Sequence, residues 1–306
     1  MRAPSGEQHP IESGGYRAVV TETGATLRSL AYDGRDLIQG HDETAMCSGA
    51  RGQLLMPWPN RVRDGAFSFE GRSMQLPLSE PARHNASHGL VRWASWHRRP
   101  EDRAAPGSVT LGYRSMAQPG YPWTLDLTAR YAIGEDGLTV TMTATSLAES
   151  PAPFACGAHP YLTTGSEHVD ADALTLPGSV RLLTDDERKL PTGREDVSGT
   201  SYDFCEGRPI GDVVLDHAYT DLTRDSDGLA RVTLRSPAGP GVELWADQHF
   251  RWLQAYTADD QGPRARTALA VEPTTAPPDA FNSGDDLRLL QPGEVFEASW
   301  GIRALG

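Results

Sequence analysis

Cysteine, long apolar runs and uninterrupted helical stretches are all scarce in this chain of 306 residues. Its three cysteines, Cys47, Cys156 and Cys205, are odd in number and show no Cys-x-x-Cys spacing, so neither a disulfide framework nor a zinc knuckle is expected. No run of 18 apolar residues occurs, and the first ten residues lack the apolar segment of a signal peptide. These absences predict a soluble, cytoplasmic protein.

Positive charge is also in deficit, with 28 basic against 41 acidic residues and a formal net charge of −13. A negative field repels phosphate backbones and anionic lipids, so we expect neither nucleic acid nor a membrane surface as a partner. A small molecule is the expected partner, and the oligomeric state is not predicted.

The 31 glycines and 23 prolines interrupt helices throughout the chain, which excludes a helical bundle.

Alternation of apolar and polar residues with a period of two recurs along the chain and indicates β-strands. Residues 124–133 and 138–145 alternate on either side of a Gly-Glu-Asp-Gly turn and predict a hairpin. Strands are not separated by helical crossovers, so βαβ folds are excluded. We predict an all-β fold, a large antiparallel β-sandwich forming a single domain over residues 15–306. A loose N-terminal tail is expected at residues 1–14, and a surface excursion at residues 181–212.

Common catalytic and cofactor motifs are missing, including Gly-x-Ser-x-Gly, the phosphate-binding loop and His-Glu-x-x-His. His84 and His88 have the spacing of a helical metal pair, but the Pro, Asn, Ser and Gly residues around them indicate a loop. We therefore expect no metal.

Titratable residues instead cluster among Gly, Pro and aromatic residues in four segments, at residues 56–61, 85–93, 156–161 and 271–279. His159 precedes Pro160, which favours an extended backbone that projects its ring away from the local turn. Glu272 precedes Pro273 at the expected end of a strand. Each residue taken alone also fits a structural role, such as a capping histidine or a surface carboxylate.

Taken together, these segments resemble the aldose 1-epimerase (galactose mutarotase) family, bacterial branch. The resemblance rests on residues 57–61 (Pro-Trp-Pro-Asn-Arg), 88–93 (His-Gly-Leu-Val-Arg-Trp), 159–161 (His-Pro-Tyr) and 272–279 (Glu-Pro-Thr-Thr-Ala-Pro-Pro-Asp). Further matches occur in family order from about residue 24 to residue 305. Two departures, Leu90 and residues 162–164, lie beside the expected sugar site and bear on the preferred sugar.

The resemblance implies a galactose mutarotase-like supersandwich with an open sugar cleft and no cofactor. It implies that Glu272 is the catalytic base, that His159 is the general acid and that His88 is a second active-site histidine. It also implies that Arg61 and Asp216 bind sugar hydroxyls. Their neighbours Asn60 and Tyr161 complete the expected substrate-binding set.

Interconversion of α and β anomers opens the sugar ring when one proton leaves the O1 hydroxyl and another reaches the ring oxygen. A carboxylate and an imidazole form a suitable pair, with ordinary pKa values of about 4.3 and 6.5. With Glu272 as the ionised base and His159 as the imidazolium acid, an optimum near neutrality requires the pKa of His159 to lie above its ordinary value. The division of proton transfer between His88 and His159 stays open.

Two other functions also fit these residues. A non-catalytic sugar-binding β-sandwich would use Arg61 and Asp216 without needing Glu272 and two histidines together. A glycoside hydrolase would use two carboxylates, for which Asp216 and Glu272 are the candidates. Four aromatic residues are either core residues or a sugar-stacking surface: Trp58, Trp96, Tyr161 and Phe281. Four arginines form either a solvated basic face or a site for an anionic sugar group: Arg83, Arg92, Arg98 and Arg99.

Overall fold

The computed structural model describes residues 3–100 and 107–306, and most of their regular structure is β-strand. The strands of the first half are β1 (Gln8–Ser13), β2 (Tyr16–Thr21), β3 (Leu27–Tyr32), β4 (Arg35–Asp36), β5 (Leu54–Leu55), β6 (Arg61–Arg63), β7 (Ala66–Phe69), β8 (Arg72–Gln75), β9 (Asn85–Ser87), β10 (His97–Arg98), β11 (Ser108–Ser115), β12 (Leu125–Gly134) and β13 (Gly137–Ser146). Those of the second half are β14 (Ala152–Phe154), β15 (Gly157–Ala158), β16 (Tyr161–Leu162), β17 (Ala173–Thr175), β18 (Gly178–Thr184), β19 (Pro191–Asp196), β20 (Arg208–Pro209), β21 (Asp216–Leu222), β22 (Ala230–Arg235), β23 (Gly241–Ala246), β24 (Trp252–Tyr256), β25 (Leu269–Thr274), β26 (Arg288–Leu290) and β27 (Val295–Leu305).

Helical structure within the described residues is limited to single turns. These are the α-helix α1 (Ala280–Ser283) and the 3-10 turns Pro81–Arg83, Val169–Ala171 and Gly262–Arg264. No helix in this part of the chain has the length and apolar character needed to cross a membrane.

Two large sheets carry the architecture. A nine-stranded sheet has the order β10-β11-β12-β13-β27-β23-β22-β17-β20, and an eight-stranded sheet has the order β19-β18-β21-β24-β25-β15-β5, with β16 also pairing with β25. Neighbouring strands of both sheets pair antiparallel. The all-β, antiparallel prediction is therefore confirmed, and the hairpin of residues 124–145 is found as β12 and β13, paired from Leu125↔Ser146 to Gly134↔Gly137.

Alternation along the strands explains how the two sheets pack. One continuous cluster of buried side chains takes Val140 and Trp300 from the nine-stranded sheet and Leu253 and Val271 from the eight-stranded sheet. Burial of this apolar surface between the sheets is the main stabilising contribution, at roughly 25 cal/mol per Å² removed from water. The opposite face of the eight-stranded sheet is left to form a cleft. The assignment of residues 15–306 to a single domain stays a prediction.

Two expectations about irregular segments are wrong in part. Residues 8–13 of the expected tail form β1, whose pairing with β2 runs from Gln8↔Thr21 to Ser13↔Tyr16 and buries Ile11; residues 1 and 2 lie outside the described residues. Within the expected surface excursion of residues 181–212, β18 and β19 pair at the edge of the eight-stranded sheet. In both places polar composition concealed the strand, because a strand at a sheet edge keeps only some of its side chains buried.

The N-terminal strand gives a stability test. Ile11→Ala should lower the free energy of unfolding by about 2–5 kcal/mol, because the side chain is packed in the core. Its neighbour Glu12 is exposed and pairs with the exposed Arg17, so Glu12→Ala should change stability by less than about 1 kcal/mol. Urea unfolding of both variants measures the difference, and equal stabilities would contradict the packing of β1.

Candidate active site

The cleft floor is set by the register of three neighbouring strands. Asp216 of β21 lies opposite Tyr256 of β24, and Gln254 of β24 lies opposite Glu272 of β25. Because directly paired residues point to the same face of a sheet, these four polar side chains share one face. Ala255, which lies between Gln254 and Tyr256 on β24, is buried in the core. Glu272 lies inside β25, which continues through Pro273 to Thr274, rather than at the strand end expected from the sequence.

One wall of the cleft is formed where two of the sequence motifs meet. The His88 N–H donates to the Asn60 carbonyl (2.8 Å) and the Leu90 N–H donates to the Met56 carbonyl (2.7 Å). Gly89 has φ +70°, and a Cβ there would lie 1.9 Å from the Met56 carbonyl oxygen. Only glycine allows this approach, which explains why glycine follows His88.

The motif at residues 272–279 holds the same wall through hydrogen bonds to Arg61 and Arg63. The Asp279 N–H donates to the Arg61 carbonyl (2.7 Å), and an Asp279 carboxylate oxygen accepts the Arg63 N–H (2.9 Å). Residues 272–279 therefore link Glu272 on the floor to the backbone that carries Arg61. The spacing between Glu272 and Asp279 therefore positions the wall relative to the floor of the cleft.

The sequence-predicted residues converge on one cleft of about 330 Å³, a size typical of small-molecule sites. All seven line it: Asn60, Arg61, His88, His159, Tyr161, Asp216 and Glu272. His159 and Glu272 are buried at its base, with exposed fractions of 5% and 3%. An acid–base pair and several hydrogen-bonding groups therefore face the same small space.

His159 and Glu272 are in direct contact at the base of the cleft. The Nε2 atom of His159 lies 3.2 Å from Oε1 of Glu272. The second atom of each group, Nδ1 of His159 and Oε2 of Glu272, is buried without a hydrogen-bond partner among residues 3–100 and 107–306. Buried polar atoms normally have partners, so the two unmatched atoms identify groups suited to binding a polar ligand.

Burial sets the protonation of this pair. It lowers the pKa of His159 to about 3, with a smaller contribution from the charge of Arg92. Burial raises the pKa of Glu272 well above its ordinary value, and the nearby charge of Asp216 raises it further. Both shifts favour the distribution in which Glu272 is protonated and His159 is neutral. The expectation that the pKa of His159 lies above 6.5 is wrong, because desolvation outweighs the attraction of the carboxylate.

His88 is held in one tautomer by the backbone. Its Nδ1 atom accepts the Asn60 N–H at 3.2 Å, so this nitrogen carries no proton and Nε2 is the donor of the neutral ring. Burial lowers the pKa of His88 well below its ordinary value, and the charge of Arg92 adds to this. The ring of His88 meets that of His159 edge to face, with centroids 5.4 Å apart. His88 is thus arranged as a neutral hydrogen-bond donor.

Tyr161 supports His159 through ring contacts. Its ring stacks on the His159 ring with centroids 5.1 Å apart and an interplanar angle of 13°. The buried Arg51 guanidinium lies over the Tyr161 ring, 4.2 Å from the centroid, and the Tyr161 hydroxyl donates to the Gly49 carbonyl (3.0 Å). This Arg51–Tyr161–His159 stack restrains the imidazole, although the hydroxyl of Tyr161 is already engaged.

Arg61 and Asp216 are each held by a partner that was not predicted from the sequence. Glu80 binds Arg61 through two contacts, Nε–Oε2 at 2.8 Å and Nη2–Oε1 at 3.0 Å. Gln254 donates from its amide to an Asp216 carboxylate oxygen at 2.8 Å. Gln254 had a detectable signal, since it is a polar residue within the apolar strand pattern of residues 251–257. Glu80 had none, because it precedes a proline-initiated turn in a polar segment.

Other sequence candidates lie away from the cleft. Trp58, Trp96 and Phe281 are buried in the core cluster, which agrees with their interpretation as core residues. The two departures from the family pattern, Leu90 and residues 162–164, are not among the residues that line the cleft; Leu162 is in the core cluster and Leu90 packs against it.

His84 and His88, whose sequence spacing matches a helical metal pair, have different surroundings in the structure. Nδ1 of His84 contacts Oδ1 of the exposed Asp64 at 2.9 Å, whereas His88 lines the cleft. Within the described residues, no group of three or more His, Cys, Asp or Glu side chains is arranged to hold a metal ion.

Comparison with known proteins identifies relatives of this chain. The family model described as aldose 1-epimerase matches residues 8–303. YihR of Escherichia coli is 32% identical over 300 residues, covering 97% of this chain and 93% of that protein. The maltose epimerase of Levilactobacillus brevis is 28% identical, covering 89% and 86% of the two chains.

Solved structures show the same fold. The aldose epimerase homologue from C. elegans has a TM-score of 0.83 at 22% identity, covering 98% of this chain and all of that chain. Galactose 1-epimerase from Lactobacillus acidophilus has a TM-score of 0.79 at 22% identity, covering 98% and 95%. The chain therefore belongs to the aldose 1-epimerase family and has the galactose mutarotase-like fold. It is an isomerase of a family that acts on small sugars.

The Arg61–Glu80 contact gives a test of cleft geometry. Glu80→Ala should lower kcat/KM for sugar epimerisation by about 10-fold to 100-fold, because Arg61 loses two charge-assisted hydrogen bonds of about 1.5–3 kcal/mol. Asp64→Ala is a matched control that removes an ion-paired carboxylate outside the cleft. Polarimetry on both variants measures the effect, and a control as impaired as Glu80→Ala would contradict the role given to Glu80.

Proposed function

We propose that this protein interconverts the α and β anomers of an aldohexose or a close derivative by general acid–base ring opening. The observation that carries the proposal is the contact between His159 and Glu272 at the base of a polar cleft, with one unmatched atom on each group. A carboxyl group and an imidazole sharing one proton can remove a proton from one sugar oxygen and supply a proton to another.

Ring opening begins from the tautomer in which Glu272 is ionised and His159 is protonated. Glu272 takes the proton of the O1 hydroxyl, C1 becomes an aldehyde carbon, and the C1–O5 bond breaks as His159 delivers its proton to O5. Rotation about C1–C2 then presents the other face of the aldehyde. Ring closure returns the proton from Glu272 to O1 and that of O5 to His159, so the cycle has no net proton change.

The resting protonation is compatible with this cycle. With the proton on Glu272 and His159 neutral, the free enzyme has the proton distribution that ring closure uses. Moving the proton across the 3.2 Å contact gives the distribution that ring opening uses. Both distributions have the same total charge, so neither requires proton exchange with the solvent.

The surrounding residues would bind and orient the sugar. We propose that His88 donates from Nε2 to the ring oxygen, since its Nδ1 is occupied by Asn60. Nη1 of Arg61, which also contacts Oδ1 of Asn60 at 3.4 Å, takes no part in the two contacts with Glu80 and donates to sugar hydroxyls, while Asp216 accepts from them. Tyr161 holds the ring of His159 in place, and Asn60 supports His88.

We also propose that the protein acts in the cytoplasm. The support is limited to its cysteines: Cys47, Cys156 and Cys205 are all free thiols in the structure, as expected in a reducing compartment.

Removal of the acid or the base should abolish activity without loss of the fold. Glu272→Gln and His159→Asn should each reduce kcat by about 10²-fold to 10⁴-fold, because each removes one proton-transfer group. Glu243→Gln is a matched control, since Glu243 is a similarly buried carboxylate, 4% exposed, on the nine-stranded sheet. NMR of freshly dissolved α and β anomers measures activity, and circular dichroism checks the fold.

The same assay separates the alternatives. A sugar-binding protein without catalysis would bind sugar and leave anomer exchange unchanged in the wild type. A glycoside hydrolase using Asp216 and Glu272 would release the chromophore of an aryl glycoside. Activity of Glu272→Gln above about a tenth of the wild-type value would remove Glu272 from its assigned role.

The pH dependence follows from the directions of the two pKa shifts. The single shared proton is lost as the pH rises through the raised pKa of Glu272, and a second proton is gained as the pH falls towards the lowered pKa of His159, about 3. The alkaline limb of kcat/KM should therefore belong to Glu272. Asp216→Asn should move this limb to lower pH, because the charge of Asp216 helps to raise the pKa of Glu272.

Stopped-flow polarimetry between about pH 5 and pH 10 measures this limb in the wild type and in Asp216→Asn. Residual activity of Glu272→Gln should lack the limb altogether. An alkaline limb retained in Glu272→Gln and lost in His159→Asn would show that the proton lies on the histidine instead.

A further inference from the structure

Arg188 attaches the segment between β18 and β19 to the side of the cleft. Its guanidinium donates from Nε to the Arg83 carbonyl (3.1 Å) and from Nη2 to the His84 carbonyl (2.8 Å). Nη2 also donates to Oδ1 of Asn85 at 3.1 Å, on the strand β9 that leads into His88. Because β18 pairs with β21 of the cleft floor, this segment links the floor to the chain that carries His88. It lies within the predicted surface excursion of residues 181–212, yet it contacts the site.

Asn85 is fully buried and joins Arg188 to Glu80. Its Nδ2 donates to the Arg188 carbonyl (3.0 Å) and to Oε2 of Glu80 (3.4 Å). The backbones of Asn85 and Glu80 are also paired, with N–H to carbonyl distances of 3.0 Å and 3.2 Å in the two directions. Only one orientation of the Asn85 amide satisfies both its oxygen and its nitrogen, so Asn85 fixes Glu80 relative to Arg188.

This series of contacts ends at Arg61 in the cleft. The Glu80 oxygen that Asn85 contacts, Oε2, also accepts from Nε of Arg61 at 2.8 Å, and the second oxygen accepts from Nη2 at 3.0 Å. An arginine side chain has many rotamers, so its guanidinium keeps one geometry only when fixed partners hold it. The position of Arg61 therefore depends on the position of Glu80.

Core packing does not hold the turn that carries Glu80. Residues 77–84 are all exposed or half-buried, and the 3-10 turn Pro81–Arg83 contains no buried residue. A segment with so few buried contacts is positioned mainly by its hydrogen bonds. Arg188 supplies three of these bonds, to two carbonyls at the end of the turn and to the side chain of Asn85 just after it.

We propose that Arg188 is a positioning residue for sugar binding, which holds Arg61 in place through Asn85 and Glu80. The inference rests on the proposed function, in which Arg61 donates to sugar hydroxyls and takes no part in proton transfer. Loss of Arg188 weakens binding of the ground state and of the transition state alike, so it raises KM and leaves kcat nearly unchanged. A purely structural role has a different signature, because partial unfolding lowers the amount of active enzyme, and hence the apparent kcat, without changing KM.

Arg188→Met tests the proposal. The side chain of Arg188 is 26% exposed, so the variant should fold, and circular dichroism checks this. KM for glucose and galactose should rise by about 3-fold to 30-fold, while kcat changes by less than about twofold. Polarimetry of freshly dissolved α anomers measures both constants. Asn85→Ala removes both side-chain links and should raise KM at least as much. An unchanged KM in Arg188→Met would overturn the proposal, whether or not kcat falls.

A double-mutant cycle tests whether Arg188 acts through Glu80. Once Glu80 is removed, Arg188 has no further route to Arg61, so KM of the double variant Glu80→Ala, Arg188→Met should agree with that of Glu80→Ala within about twofold. Multiplication of the two single effects would show that Arg188 acts independently of Glu80, which contradicts the proposal.

Arg194→Met is the matched control. Arg194 lies on β19, next to the same segment, but it pairs with the exposed Asp285 at 2.9 Å. The variant removes the same charge, and KM should change by less than about twofold. Asp64→Ala removes only the half-exposed partner of Arg188 and should likewise leave KM within about threefold. A rise in KM as large in Arg194→Met as in Arg188→Met would show that the effect is one of charge and not of position.

A binding measurement separates failure of this proposal from failure of the proposed function. The 1,5-anhydro derivatives of glucitol and galactitol have no anomeric hydroxyl and do not mutarotate, so calorimetry with them reports binding alone. Weaker binding by Arg188→Met than by a wild type that does not exchange anomers would support the positioning role and contradict the epimerase mechanism. Anomer exchange by the wild type, with equal binding and equal KM in Arg188→Met, would do the reverse.

Discussion

The antiparallel register of β21, β24 and β25 is the constraint on which the site depends. It places Asp216, Gln254 and Glu272 in neighbouring positions on one face, while the residues between them pack between the sheets. A slip of one residue would turn every side chain of a strand to the other face, so core packing and site geometry are fixed by the same hydrogen bonds. The free energy that stabilises the sandwich therefore also positions the base.

The cleft combines this floor with a wall built from turns. Residues 56–61 and 88–90 are joined by backbone hydrogen bonds, and Gly89 permits an approach that no other residue allows. Asp279 connects the wall to the strand that carries Glu272. The floor and the wall thus have different origins: the first follows from sheet pairing, and the second from tight turns tied by specific hydrogen bonds.

Much of this arrangement could be predicted from the sequence. Strict alternation at residues 124–145 predicted the β12–β13 hairpin with its turn, and the resemblance to the family identified seven residues that converge on one cleft. The pKa of His159 could not be predicted, because it depends on burial created by distant segments. Glu80 was missed for the same reason: its importance comes from a contact with Arg61, 19 residues earlier in the chain. The strand β1 was not predicted because its polar sequence does not indicate a strand, and the strand forms through its pairing with β2.

The shared proton of His159 and Glu272 has a consequence for the isolation of the site. Throughout the proposed cycle the two groups and the sugar exchange protons only with one another, so the reaction needs no chain of waters or side chains leading to the surface. A reaction centre of this kind can be enclosed by apolar packing on every side but the sugar's own entrance. It also ends each turnover in the protonation state in which it began, so that the pH sets this state but turnover does not change it.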